Sequence, residues 1–221
     1  MKYLYLSYSI KDDMPVYGGT GSVTISPVKS IAVGDTSNVF SFTMENHWGT
    51  HIDSSNHFFD EGMKVFEHPA DFWCFRKPRV VDISLKPSEI MKSTECLELL
   101  ERDADLLLFR SKWSDYRDRD LYGTENPGIG PEIGSFIRRN FPSVRAVGID
   151  WVSVSSFRDG RQGVETHKVF LNPKGEGHPV LIIEDMDLSG DMAGLVEVWV
   201  LPFRMEGLDS APCTVVGVFR D

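Results

Sequence analysis

Cysteine is scarce in this chain of 221 residues: Cys74, Cys96 and Cys213, far apart and odd in number. That excludes a disulfide framework and a C-x-x-C site, and points to free thiols in a reducing cytoplasm. Long apolar runs are missing too, and none approaches the roughly 20 residues that a membrane-spanning helix needs. The opening MKYLYLSYSIKDDMPVY starts apolar, but Lys2, Ser7, Ser9 and Lys11 interrupt it, so no secretory leader is read there. Positive charge is outnumbered, with 23 Lys and Arg against 33 Asp and Glu and a formal net charge of −10. Such a chain has no electrostatic reason to approach phosphate backbones or anionic lipid, so nucleic acid and membrane are not expected partners. Repeats and low-complexity segments are absent.

What is present is the make-up of a soluble globular protein, 41% apolar and 25% charged, long enough to bury one full core. One domain over residues 1–221 is therefore expected. Strands are expected at 3–9, 38–44, 79–85, 105–109, 146–150, 180–183, 196–203 and 213–219, from period-two alternation or short apolar runs. The alternation of NVFSFTM at 38–44 reads as a half-buried strand ending where a histidine-rich stretch begins. Helices are expected from Pro87-Ser88-Glu89 towards Glu101, over 130–139 with Pro131 in the first turn, and around 165–171. Strands outnumber helices, and helices lie between some of them, so the fold class is mixed α/β or α+β. The stretch 172–178, NPKGEGH, reads as a loop rather than a linker.

The stretch HWGTHIDSSNH, residues 47–57, holds three of the six histidines and an aspartate. His51 and Asp53 stand two apart, so an extended backbone turns both to one face. His47 precedes His51 by four residues, with Gly49 between them to let the chain bend. Imidazole and carboxylate suit Zn²⁺, and also Mn²⁺ or Fe²⁺, and three protein ligands leave a position open for water. The helical H-E-x-x-H motif is excluded, since Trp48 stands where its glutamate would be and Gly49-Thr50 is poor helix material. His57 reads either as a fourth ligand or as an imidazole free to shuttle protons near neutral pH. So many polar groups together need a compensating partner, which makes a metal or catalytic role the expected one. His68 and His178, each alone, read as ordinary satisfied histidines. Glu184 ends the apolar run 180–183, where an unpaired carboxylate would be costly.

H-x-G-T-H-x-D followed by His57-Phe58 resembles the signature of the bacterial cyclase-like metal-dependent hydrolases, the kynurenine formamidase and isatin hydrolase type. Asp13 to Tyr17, LLLFRSKW at 106–113, VGID at 147–150, His167 leading to Glu184, and LPFRMEG at 201–207 fit the same family in order. The resemblance implies a swivelling β/β/α domain with a mixed sheet and a metal site at strand ends. It implies two divalent ions, Zn²⁺ or Mn²⁺. His47, His51 and Asp53 would hold one, and His167 would complete the second, with Asp53 and Glu184 shared by both. His57 would be the proton donor and acceptor, and Tyr17 would line the substrate pocket. It further implies a homodimer or homotetramer acting on a small molecule. The activity implied is hydrolysis of an amide C–N bond in a small aromatic substrate such as an aryl formamide. A cyclic amide of the isatin kind, a lyase or cyclase reaction, and a non-catalytic binding protein stand as alternatives. The sequence departs from the family at Ser55, where proline is usual, at Gly18, where the aromatic-Pro-Gly pattern is replaced, and in a longer loop at 172–178.

Overall fold

The computed structural model describes residues 1–220. The chain begins with strands β1 (Lys2–Tyr5), β2 (Thr24–Lys29), β3 (Val39–Thr43), β4 (His51–Asp53), β5 (Cys74–Phe75), β6 (Pro78–Asp82) and β7 (Ile90–Met91). There follow α1 (Glu95–Glu98), β8 (Leu106–Arg110), α2 (Leu121–Thr124), β9 (Gly128–Ile129) and α3 (Pro131–Asn140). It closes with β10 (Ala146–Ile149), α4 (Gly160–Leu171), β11 (Leu181–Glu184), β12 (Leu195–Pro202) and β13 (Ser210–Phe219).

Among the described residues, nine strands form one mixed sheet in the order β5-β12-β13-β4-β11-β10-β8-β6, with β1 also pairing with β13. The half from β6 through β8 and β10 to β11 is parallel, and β4, β13, β12 and β5 continue it antiparallel. β5 and β6, the two ends of the order, are joined by Arg76 and Lys77 alone, and β6 touches β12, so the sheet curls towards closure. The central parallel strands are covered on both faces, which is why they read as unbroken apolar runs. Alternate residues go to opposite cores. Leu107, Phe109, Val147, Ile149 and Ile182 pack under α3 and α4, whereas Leu106, Leu108, Ala146, Leu181, Ile183 and Ile52 fill the other side.

Two expectations from the sequence are corrected. The strand at 38–44 alternates in hydrophobicity, yet every residue of β3 is exposed. It pairs only with β2, in a two-stranded hairpin separate from the main sheet, so its apolar side chains meet no layer of this chain's core. The histidine-bearing segment accordingly follows that hairpin and enters the main sheet as its own strand, β4. The helix expected from Pro87 is confined to Glu95–Glu98, because Ser88 turns with φ +58° and Ile90–Met91 pairs in parallel with Gly128–Ile129. The helix expected at 165–171 begins earlier, at Gly160, where the Asp159 carboxylate accepts from Gln162 N–H and caps the first turn. Among the described residues no helix is long and apolar enough to cross a membrane, and the three cysteines are unpaired.

Candidate metal centre

The site follows from strand parity. Ile52 points into the core on one face of the sheet, so its neighbours His51 and Asp53 point to the other, the face on which α4 packs. In the antiparallel register β4 meets β11 with His51 opposite Glu184 and Asp53 opposite Ile182, and Ile182 belongs to the helix-side core. The last carboxylate of β11 therefore faces the same way as the two β4 side chains, and α4 lowers His167 onto them. His51 Nε2 lies 3.5 Å from Asp53 Oδ1 and 3.4 Å from Glu184 Oε2, and His167 Nε2 lies 3.6 Å from both Asp53 Oδ2 and Glu184 Oε1. Gly49, at φ +72°, makes the turn that swings His47 back so that its Nδ1 comes within 3.1 Å of Asp53 Oδ1. The five ligands implied by the resemblance thus converge, with Asp53 at the centre.

Their outer bonds fix which nitrogen looks inward. His51 Nδ1–H donates to the Gly49 carbonyl at 2.8 Å, and His167 Nδ1–H to the Gly163 carbonyl at 2.8 Å. Each ring therefore turns Nε2 to the centre, the orientation that metal-binding imidazoles adopt. Phe58 stacks on His167 with ring centroids 5.0 Å apart. Glu184 Oε1 accepts from Val154 N–H at 2.7 Å and from Ser153 Oγ–H at 3.1 Å.

A divalent cation fits this set. Among the described residues, both oxygens of Asp53 and His51 Nε2 are buried without a hydrogen-bond partner, although Asp53 is wholly enclosed. Three orphaned acceptors turned to one point ask for positive charge. Ligand atoms close enough to share an ion occur in two groups, His51 with Asp53 and Glu184, and His47 with Asp53 and His57. In the metal-free chain protons fill the role. Burial works against a charged imidazole, but Glu184 and Asp53 outweigh it, and His167 is raised to about 10. His47 is likewise raised to about 10, burial again opposing and Asp209 and Asp53 prevailing. Against its own burial, Glu184 is held at about 2 by His167 and His51.

The rim is more open. His57 reaches the cluster from the turn Ser55–His57, its ring 4.3 Å from that of His47 and 5.7 Å from that of His167. Tyr17 stands edge-on to Phe157 at 5.5 Å, its hydroxyl donating to the Ser156 carbonyl at 3.4 Å. Burial, and then the charge of Glu184, push its phenol up. Trp48 turns away to pack with Met14, Val16 and Val23. His68 and His178 lie elsewhere, bonded to Ser54 Oγ and to the Val144 carbonyl. One acidic residue escaped the sequence reading. Asp209 Oδ2 accepts from His57 Nδ1–H at 2.7 Å and from His47 Nε2–H at 3.2 Å. It lies more than 150 residues from both, carried to them by the pairing of β13 with β4, and its only sequence signal is an acidic residue just ahead of a strand.

Comparison with known proteins finds relatives of this chain and of its fold. The family model described as "Putative cyclase" matches residues 4–156. Cyclase-like protein 2 of Oryza sativa subsp. japonica is 26% identical over 96% of this chain and 77% of its own length. A kynurenine formamidase of Bacillus anthracis is 26% identical over 97% of this chain and 96% of its own length. Among solved structures, isatin hydrolase A from Labrenzia aggregata superposes with a TM-score of 0.81 at 18% identity, over 100% of this chain and 94% of that one. A potential metal-dependent hydrolase with cyclase activity does so with a TM-score of 0.75 at 21% identity, over 100% and 98%.

Proposed function

We propose, for a chain that belongs to the putative cyclase family, metal-dependent hydrolysis of the amide C–N bond of a small aromatic substrate such as an aryl formamide. The observation that carries this reading is Asp53, a fully buried carboxylate with neither oxygen hydrogen-bonded, ringed by three imidazoles and a second carboxylate. The names of the relatives, kynurenine formamidase and isatin hydrolase, support the bond class.

His47, His51, Asp53, His167 and Glu184 would hold two divalent ions, Zn²⁺ or Mn²⁺. Ions so held would supply Lewis acidity, toward a substrate carbonyl and toward water. The remaining work falls to side chains. His57 Nδ1 is engaged by Asp209, so Nε2 is the atom free to take a proton from water. As the C–N bond breaks, the same Nε2 returns that proton to the departing amine. Water thus gives its OH to the carbonyl carbon and its other hydrogen, by way of His57, to nitrogen. Tyr17 and Phe157 would flank the aromatic ring at the rim, where edge and face contacts are available.

The test is purification without chelator, elemental analysis, and a screen of aryl formamides and cyclic amides. About two ions per chain and turnover of a formamide are expected. His57→Ala should keep the metal and lose at least about a hundredfold in kcat. A variant within about tenfold of the parent would remove His57 from the proton-transfer role. Preferential turnover of a cyclic amide would move the substrate class, and a chain that takes up no metal would favour a binding protein.

We also propose self-association, as a dimer or tetramer. Its support is the β2–β3 hairpin, which exposes Ile25, Val28, Val39, Phe40 and Phe42 away from the core. A two-stranded ribbon alone in water is marginally stable.

A further inference from the structure

Asp209 touches both imidazoles through one oxygen, and its other oxygen is also engaged. Asn46 Nδ2 lies 2.8 Å from Asp209 Oδ1 and 3.2 Å from the Ser210 carbonyl. Both neighbours are acceptors, so the amide must present its NH₂ to them. The Asp209 carbonyl in turn accepts from Ser54 N–H at 3.0 Å, which ties the residue to the end of β4. The carboxylate is thereby clamped, one oxygen on Asn46 and one between the two rings, and it is not among the groups whose ligand atoms converge on a shared point.

We infer that Asp209 is a positioning residue that sets the tautomers of His47 and His57. By accepting from His57 Nδ1–H and His47 Nε2–H, it leaves His57 Nε2 free for proton transfer and turns His47 Nδ1 towards Asp53, where a bound metal would replace its proton. The importance of the His57 tautomer rests on the proton-transfer reading above. The tautomers themselves do not. Asn46 makes the inference sharp. In Asp209→Asn the new amide oxygen must face the Asn46 NH₂, which turns the new NH₂ group towards the imidazoles. An NH₂ cannot accept from Nδ1–H, so His57 is driven to carry its proton on Nε2 instead, the atom that should receive one. Removing Asn46 as well frees that amide to rotate and offer its oxygen to the rings.

The experiment records long-range ¹H–¹⁵N spectra of the histidine rings in the zinc-loaded chain, for the parent, D209N, N46A and the double variant N46A/D209N. Zinc content and formamide turnover are measured on the same samples. In the parent, His57 should carry its proton on Nδ1. In D209N it should carry it on Nε2, with kcat down about 10- to 100-fold and a much smaller change in KM. The double variant should return the proton to Nδ1 and recover part of kcat. The same His57 tautomer in the parent and in D209N would overturn the inference, as would a double variant no better than D209N. So would a loss of turnover that merely follows loss of zinc. If D209N does not fold, the parent spectrum decides: His57 carrying its proton on Nε2, or His47 carrying none on Nε2, overturns the inference. A parent that turns over no formamide sinks the functional reading, while the ring spectra still decide this one.

Discussion

At the scale of the residue, the site is a set of negative charges holding positive ones. In the metal-free chain the positive charge is protons, since His47 and His167 are raised to about 10 by the carboxylates that burial has left around them. A metal ion must displace those protons to reach the nitrogens. Loading with Zn²⁺ at pH 7 should therefore release protons, and affinity should rise as pH rises towards 10. Calorimetric titrations in two buffers of different ionisation enthalpy would read this, and identical heats in both would refute it. The legibility of these residues in the sequence depended on how local their geometry is. His51 and Asp53 share a face because they stand two apart on a strand, and that much was readable. Glu184 was visible as a carboxylate closing an apolar run, but its place in the site came from the resemblance. His167 sits in an unremarkable amphipathic helix and was found through resemblance alone. Asp209 left no usable trace, because its partners are set by the pairing of two distant strands rather than by spacing.

At the scale of the element, α4 decides where His167 stands, and Gly163 decides where α4 stands. A Cβ on Gly163 would lie 2.0 Å from Ser155 Oγ and 2.3 Å from Ser155 Cβ. The helix can pack against the 153–156 loop only because that position has no side chain. Gly163 also supplies the carbonyl that orients His167, one turn along. Glycine to alanine inside a helix ordinarily stabilises by about 1 kcal/mol. Gly163→Ala should do the reverse, lowering Tm and weakening metal retention together. A thermal melt paired with metal analysis checks it, and a stabilised variant with full metal content would show the contact to be soft. Elements whose signals were strong came through: the parallel strands as apolar runs, and α3 with proline at its first residue. The segment after Pro87 did not, because pairing of Ile90–Met91 with β9 outweighs a local preference for helix.

At the scale of the molecule, the mixed α/β class was legible from the order of elements, and the mixed sheet from the resemblance. The hairpin was misread because alternation reports that a face wants burial, not which layer buries it. If a second copy supplies that layer, replacing Phe40 and Phe42 together by aspartate should leave the main sheet intact and yield monomer by light scattering after gel filtration. A parent that is itself monomeric at the same concentration would end the proposal. The place of β4 in the sheet carries a last consequence, one of timing. Its neighbours are β11 and β13, both from the final quarter of the chain. On a ribosome adding about 5–20 residues per second, the histidine-rich strand emerges seconds to tens of seconds before either partner exists. During that interval the segment 47–53 is unpaired and already carries three of the five donors of the centre. An ion met then would find neither the His167 imidazole nor the buried carboxylate of Glu184, so the donor set is complete only when the last strands arrive.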